Sequence, residues 1–244
     1  MFLNNNDSSE VNMKKIGLVG GTGPESTLMY YKELNSRIDY LTGGKEMPDI
    51  AIESVNFRKA WDYVSGGKYG ELSSYLSEKV NILKQSGCEI ITLTAGTMHI
   101  VFDEIEKNTN VSLVSIPKAV CDEAVRRGYR KVGLLGTMFT MEQDYMKKDL
   151  MSVGIDVFVP CKEDRELIAK RILEELEIGI VKKSTLQEFN AIIDRMRTQY
   201  DIESVVLGCT ELPLLLNDTN AALPCLDSVD IHIRELIRLA AMKE

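Results

Sequence analysis

The chain repeats itself over its two halves. Residues 14–21, KKIGLVGG, are similar to residues 130–137, RKVGLLGT, about 116 positions later. A second pair, residues 90–97 (IITLTAGT) and 205–210 (VVLGCT), lies at nearly the same offset. Each half therefore holds a strand, a glycine-rich turn and a helix, then a second strand that ends in a turn of small residues. Repetition on this scale predicts two similar α/β units in the 244 residues, rather than one undivided domain.

Short β-branched runs alternate with helical patterns along both halves. Strands are predicted at Lys15–Val19, Ile50–Val55, Glu89–Thr94, Ser112–Ser115, Lys131–Leu135, Ile155–Val159 and Ser204–Leu207. One helix between them carries an apolar stripe of Leu72, Leu76, Val80 and Leu83. Gly87 is expected to end that helix, and Pro117 and Gly128 to begin and end another. Such alternation predicts parallel sheets covered by helices, as in Rossmann-like or flavodoxin-like domains.

The repeat also divides the chain. Residues 1–12 are rich in Asn, Ser and acidic side chains, and they are expected to form a disordered leader. An N-terminal α/β domain is predicted for residues 13–116 and a C-terminal one for 117–227, with the last helix, about 228–244, packing back on the first domain. Ligands of such sheets bind beyond the carboxyl ends of strands. The four repeated turns are therefore expected to meet in one cleft between the domains.

The composition excludes several classes of protein. There are 29 basic residues against 37 acidic ones, a net charge of −8, which argues against nucleic acid and anionic membranes as partners. No apolar run reaches membrane-spanning length, and no signal peptide begins the sequence. Five scattered cysteines and two histidines predict neither a disulfide framework nor a metal site. A soluble, cytoplasmic enzyme or binding protein remains.

The turn after the first strand reads GGTGPEST over residues 20–27. Pro24 is the expected first helical residue, so that backbone N–H groups of the turn can hold a carboxylate or a phosphate. The spacing matches neither a dinucleotide fingerprint nor a P-loop. A small-anion site and a merely tight turn both remain open.

The turn GCTELP, residues 208–213, carries the most specific signal. Cys209 follows a predicted buried strand, and Pro213 indicates a helical turn directly after it. A thiol at a helix N-terminus can have a lowered pKa and act as a thiolate, although most cysteines are only packed in the core. Thr210 and Glu211 add a hydroxyl and a carboxylate. The remaining cysteines, 88, 121, 161 and 225, are expected in the core or on the surface.

The equivalent turn of the first half reads TAGTMH, residues 94–99. Thr97 is expected to cap a helix that begins near Met98, with its hydroxyl free to touch a ligand. His99 and His232 are both expected to be structural histidines.

Taken in order, these motifs resemble the aspartate/glutamate racemase superfamily, and within it the branch of aspartate racemase-like amino-acid racemases. The likeness covers about residues 13–243. It implies two pseudo-symmetric domains, a homodimer, an amino-acid or dicarboxylic-acid substrate, and no cofactor or metal. It also implies two cysteines that flank the substrate α-carbon, one removing the α-proton and the other returning a proton to the opposite face.

The resemblance assigns roles to particular residues. Cys209 matches the second cysteine of the family. On the other face no cysteine is present, and Thr97, Thr94 or a bound water is the candidate substitute, with Thr97 as the candidate catalytic residue. The remaining substrate contacts that it implies are Thr22, Asn56, Ala95, Gly96, Thr97, Thr137, Thr210 and Glu211.

The chain departs from the family pattern where a Cys-Asn-Thr turn is usual, because Ala95 and Gly96 replace the cysteine and the asparagine. Inversion without a cofactor needs acid–base groups on both faces of the α-carbon, and alanine supplies none. Three functions therefore stay open: an impaired or one-sided racemase that uses Cys209, an enzyme acting on a different small carboxylate, and a protein that binds a small amino or dicarboxylic acid without chemistry.

Overall fold

A computed structural model describes residues 13–242, so the predicted leader 1–12 lies outside it. It contains two four-stranded parallel sheets. The first runs in the order β2-β1-β3-β4, with β1 Ile16–Gly20, β2 Ile50–Ser54, β3 Ile90–Leu93 and β4 Leu113–Val114. The second runs β6-β5-β7-β8, with β5 Lys131–Leu135, β6 Asp156–Phe158, β7 Ser204–Leu207 and β8 Cys225–Asp227. The identical order confirms the predicted pair of similar parallel α/β units.

Each predicted strand is found, within a residue or two of its predicted ends. The strand missing from the prediction is β8, which has three residues, two of them buried. Its sequence Cys-Leu-Asp carries no β-branched side chain and is too short for an alternating pattern. It is recognisable only by its pairing with β7.

Ten α-helices cover the sheets within the described residues. They are α1 Pro24–Thr42, α2 Phe57–Ser65, α3 Tyr69–Gln85, α4 Phe102–Thr109, α5 Ile116–Arg127, α6 Met138–Glu142, α7 Lys148–Ser152, α8 Lys162–Glu174, α9 Lys183–Tyr200 and α10 Ser228–Ala240. The predicted apolar stripe is the buried face of α3. Pro117 lies in the first turn of α5, and Gly128 ends that helix in the left-handed conformation, with φ 76°. Both predicted helix boundaries are confirmed.

Each sheet is buried on both faces. Helix α3 packs on one face of the first sheet, and α1 and α10 pack on the other. In the second sheet, α8 and α9 cover one face while α5 and α7 cover the opposite one. The inner strands β1, β3, β5 and β7 are buried along most of their length because helices take up both sides, as expected for parallel sheets.

The last helix connects the two units. Helix α10 follows β8 of the second sheet, but its Val229, Ile233 and Leu236 lie in the apolar core of the first sheet. Its His232 is fully buried, accepting a hydrogen bond from the Tyr30 hydroxyl and donating to the Val114 carbonyl. This helix is therefore buried along most of its length and contributes to the core of the first unit while it follows the last strand of the second. The exact domain boundary at residue 116 stays a prediction.

Within residues 13–242, no helix combines the length and the apolar character needed to cross a membrane.

Candidate functional site

Four turns meet in one cavity of about 690 Å³ between the two sheets. Thr22, Ala95, Thr137 and Cys209 line it, and each lies two positions after the last residue of β1, β3, β5 or β7 respectively. In the repeat, Thr22 of the first unit is therefore equivalent to Thr137 of the second. Ala95 is equivalent to Cys209 in the same way. The volume is typical of a small-molecule site, and its position at the carboxyl ends of parallel strands is where such sheets bind ligands.

Cys209 is half-buried, and its Sγ donates a hydrogen bond to the Glu211 Oε2 at 2.7 Å. Burial raises the pKa of the Cys209 thiol well above its ordinary value, and the Glu211 carboxylate raises it further. The predicted helix N-terminus that would lower this pKa is wrong, because a turn of only three residues, Leu212–Leu214, follows. The free site therefore holds a neutral thiol beside a carboxylate.

Glu211 accepts hydrogen bonds from both neighbouring polar side chains of this turn. Its second oxygen, Oε1, accepts a hydrogen bond from the Thr210 hydroxyl at 2.6 Å. Both carboxylate oxygens are thus engaged by donors from the same three-residue turn. The carboxylate is placed to take the thiol proton without any rearrangement of the backbone.

Thr22 occupies the tight turn between β1 and α1. Gly21 and Gly23 have φ of 82° and 108°, conformations that favour glycine. The Thr22 side chain is 7% exposed and lines the cavity, yet its Oγ1 has no hydrogen-bond partner among the described residues. A buried hydroxyl without a partner is costly, and a hydrogen bond to a ligand in the cavity would offset that cost.

The turn Ala95–Thr97 enters a short 3₁₀ helix, Gly96–Val101, before α4. Ala95, Gly96 and Thr97 all line the cavity. The predicted capping role of Thr97 is wrong, because it lies inside this 3₁₀ helix and the capping position is Ala95, which has no capping side chain. A Cβ added at Gly96 would meet only the Gly208 carbonyl oxygen, at 3.9 Å, so a larger residue fits there.

His99 holds this turn in place and is structural, as predicted. Its Nε2 accepts the N–H of Ile116 at 3.1 Å, so its Nδ1 carries the proton and donates to the Ala95 carbonyl at 3.1 Å. Burial lowers the pKa of His99 to about 4. The imidazole therefore stays neutral near pH 7 and fixes the backbone of Ala95 against α5.

Thr137 caps α6 through its Oγ1, which accepts the N–H of Thr140 at 3.2 Å. The hydroxyls of Thr137 and Thr140 lie 3.0 Å apart, and Thr140 in turn lies 2.9 Å from the phenol oxygen of Tyr145. Burial raises the pKa of Tyr145 to about 12, against the opposing effect of its hydrogen-bonding neighbours Thr140 and Thr97. Tyr145 was not predicted, since it lies eight positions beyond the turn and no motif marks it.

Asn56 is the one predicted site residue that the structure does not bring into the cavity. It is exposed and caps α2, its Oδ1 accepting the N–H of Lys59 at 3.3 Å. The next turn of α2 instead contributes Phe57 and Trp61, whose rings stack with centroids 6.2 Å apart at the cavity wall. These aromatic residues carried no sequence signal, because an exposed aromatic pair one helical turn apart is common on helix surfaces.

Comparison with known proteins places this geometry in a family. The model of the Asp/Glu/Hydantoin racemase family matches residues 19–236. An aspartate racemase homologue from Pyrococcus horikoshii is 39% identical, with a TM-score of 0.84, over 94% of this chain and 100% of the other. A Yersinia pestis protein provisionally assigned as an Asp/Glu racemase is 33% identical, with a TM-score of 0.89, over the same shares of the two chains.

A more distant relative is the broad specificity amino-acid racemase RacX of Bacillus subtilis, 21% identical over 87% of this chain and 92% of its own length. The matched region of the family model includes all four turns that line the cavity. This chain belongs to the Asp/Glu/hydantoin racemase family.

Proposed function

We propose that the protein is a cofactor-independent amino-acid racemase that exchanges the α-proton of its substrate on the Cys209 face. The observation that carries the proposal is the Cys209–Glu211 pair at the carboxyl end of β7, inside the cavity that the two sheets share. A thiol next to a carboxylate can give up its proton and then act as a base. Membership of a racemase family supports this chemistry.

The proposed step begins with transfer of the Cys209 thiol proton to Glu211. The thiolate then removes the α-proton, and the electron pair left on the α-carbon delocalises into the substrate carboxylate. Protonation of the same carbon, from Cys209 or from the other face, restores the amino acid. Because burial and Glu211 keep the free thiol neutral, the positive α-ammonium of the substrate is expected to lower the pKa of Cys209 on binding.

The threonine hydroxyls are the proposed anchors of the substrate carboxylate. Thr22 offers the unpartnered buried Oγ1 described above, and Thr137 and Thr210 line the same cavity. Donors placed around the carboxylate stabilise the negative charge that develops on it as the α-proton leaves. Positioned hydroxyls therefore serve binding and proton removal together.

Ala95 makes the two faces unequal. It occupies the position that the repeat pairs with Cys209, and a methyl group neither gives nor takes a proton. The hydroxyl of that turn that lines the cavity belongs to Thr97, which is a poor base near pH 7 without a charged partner. We therefore propose that exchange of the α-proton is faster than inversion of configuration. On the Ala95 face, Thr97 or water would donate the proton slowly.

Incubation of the protein with a panel of L-amino acids in D₂O tests the proposal. Loss of the α-proton signal by NMR measures exchange, and chiral chromatography of the same samples measures inversion. Exchange is expected in the native protein and is expected to fall by about 10²–10⁴-fold in Cys209→Ser, the usual range for one acid–base group. The matched control is Cys161→Ser, which alters an exposed cysteine outside the cavity.

Equal exchange by the native protein and Cys209→Ser contradicts the assigned role. The second candidate function, binding of a small amino or dicarboxylic acid without chemistry, is favoured by the missing thiol at Ala95. It predicts heat of binding by calorimetry with no exchange for any amino acid. The homodimer implied by the family stays a prediction that sedimentation tests.

A further inference from the structure

The charge of the cavity wall is entirely negative. Four carboxylates line the cavity, contributed by Glu25, Glu142, Glu177 and Glu211, and no Lys, Arg or His among residues 13–242 lines it. Arg58 and Lys162, two cations close in sequence to the segments around the cavity, also lie outside its wall. A substrate with an acidic side chain would meet carboxylates without a cation to offset them.

No ion pair within residues 13–242 offsets the charge of these carboxylates. None of the four makes an ion pair in the part of the chain that the structure describes. Loss of hydration raises the pKa of Glu177, and the charges of Glu211 and Glu25 raise it further. Glu211 and Glu25 therefore each act on Glu177 and disfavour its charged form. Their mutual repulsion is relieved when a cation enters.

A metal ion is a poor occupant for this charge. No group of three His, Cys, Asp or Glu side chains in residues 13–242 is arranged to hold one. An organic cation needs no such tight coordination, since it is bound by dispersed charge and by aromatic faces. Phe57 and Trp61, each a little over 40% exposed, supply such faces on the same wall.

Thr22 shows that the cavity is also built for a polar anchor. Its buried Oγ1, two positions after β1, has no hydrogen-bond partner within residues 13–242, and Thr137 holds the equivalent position in the second unit. A ligand that fits both features carries a carboxylate for the hydroxyls and a cationic arm for the glutamates. A basic amino acid has both groups on one molecule.

We propose that the preferred substrate class is cationic amino acids, such as lysine, ornithine and arginine, with Glu177 and Glu25 holding the side-chain cation. This inference rests on the proposed function for its chemistry, while the binding preference stands on the charge of the cavity. It differs from the acidic substrates for which the family is named.

The first test compares matched ligands by exchange and by binding. L-lysine and L-norleucine have the same chain length and differ in the terminal ammonium, and L-glutamate reverses the charge. Exchange of the α-proton in D₂O gives kcat/KM, and isothermal calorimetry gives Kd for the same three compounds. For L-lysine we expect kcat/KM to be higher, and Kd to be lower, than for L-norleucine by about 10- to 100-fold, the usual worth of a charge-assisted contact. The difference from L-glutamate is expected to be larger still.

The second test neutralises one carboxylate. Glu177→Gln is expected to reduce the preference for L-lysine over L-norleucine by about tenfold, because one of the charges is removed. Glu177→Lys is expected to weaken L-lysine further and to improve L-glutamate. The matched control is Glu174→Gln, which removes an exposed carboxylate three residues earlier, outside the cavity, and should leave the preference unchanged.

The outcomes separate the substrate class from the chemistry. Exchange that is fastest with L-glutamate, or equal for L-lysine and L-norleucine, overturns the proposed cationic substrate class. The proposed racemase activity would still stand. Tight binding of L-lysine without exchange supports the substrate class and overturns the racemase. Absence of binding for all three compounds overturns the substrate class, and so does a preference for L-lysine that Glu177→Gln and Glu177→Lys leave unchanged.

Discussion

The two sides of the cavity differ most at a single pair of residues, Ala95 and Cys209. The repeat places them in equivalent turns, two positions beyond equivalent strands. Cys209 has a carboxylate within hydrogen-bond distance, whereas Ala95 is 9% exposed and has no polar side-chain atom. The two equivalent turns therefore carry different side chains, a thiol beside a carboxylate in one and a methyl group in the other.

At this scale the role of Glu211 can be measured directly. Glu211→Gln removes the negative charge that raises the pKa of Cys209, so this pKa is expected to fall. Exchange is expected to fall as well, by about 10²-fold or more, because the proton acceptor for the thiol is lost. The pH profile of alkylation by iodoacetamide reports the thiol pKa, with Glu174→Gln as the control. An unchanged or higher thiol pKa in Glu211→Gln would show that the carboxylate does not act on the thiol.

Ala95 can be tested by restoring the acid–base group. Ala95→Cys with Gly96→Asn is expected to raise the ratio of inversion to exchange by about 10-fold or more, since both faces then carry a thiol. The substitution is sterically reasonable, because a Cβ at Gly96 meets only one atom within 4 Å. Chiral chromatography beside NMR exchange gives the ratio, and Ala95→Ser tests whether a hydroxyl suffices. A ratio that stays at the native value would place the slow step elsewhere.

At the scale of single elements, the strand–turn–helix units decide which residues reach the cavity. The turn after β1 packs so closely on β2 that a Cβ at Gly21 would lie 2.5 Å from the Ser54 hydroxyl and 2.6 Å from the Val55 carbonyl. A residue with a side chain would therefore push the two strands apart. Thr22, the next residue, depends on this close approach for its place at the cavity wall.

Gly21→Ala is accordingly expected to lower the free energy of unfolding by about 2–5 kcal/mol, through left-handed strain and overpacking together. Gly43→Ala is the matched control, because Gly43 also has positive φ, 65°, but a Cβ there would meet nothing within 4 Å. Its cost is expected to be about 1–2 kcal/mol, the conformational strain alone. Urea denaturation of both variants measures the difference. Equal losses would show that close packing at Gly21 contributes nothing beyond its backbone conformation.

Motifs that are local in sequence predicted most of the fold and eight residues of the cavity wall. Strand β7 and the turn that follows it can be read from SVVLGCT, because β-branched residues end at a glycine and a small polar run. The carboxylates Glu25 and Glu177 could not be assigned, since one begins a helix and the other lies in a turn far along the chain. Their meeting depends on how the two sheets face each other. The pKa of Cys209 was predicted in the wrong direction, because burial and the Glu211 charge raise it more than a short helical turn lowers it.

At the scale of the whole molecule, α10 makes the two units interdependent. It leaves the second sheet and completes the core of the first, with His232 bonded to α1 and to β4 at once. His99 similarly joins the turn at Ala95 to the start of α5. Both imidazoles are almost fully buried and act as neutral connectors between segments distant in sequence. Protonation of either would place a charge where the surroundings are apolar and the acceptor position is already used.

This arrangement predicts a loss of stability in mild acid. Burial lowers the pKa of His99 to about 4 and that of His232 to about 3, against about 6.5 in an unfolded chain. The unfolded chain therefore takes up protons first, so stability is complete above about pH 6.5 and declines as the pH falls towards 4 and 3. At pH 5 the two residues together are expected to cost about 4 kcal/mol, a slope near 1.4 kcal/mol per pH unit for each. Urea denaturation at pH 7, 6 and 5 measures this, in a range where most carboxylates remain ionised.

The NMR titration of the two imidazole rings checks the origin of that slope without any substitution. In the folded protein neither ring is expected to titrate between pH 7 and 5, whereas both should titrate near pH 6.5 in urea. His232→Gln then removes one of the two contributions, so the decline in stability between pH 6.5 and 5 should be about half as steep even if the variant is less stable at pH 7. A folded-state ring that titrates near pH 6.5 would instead mean that water reaches it. The helix that closes the first unit would then be opening under native conditions.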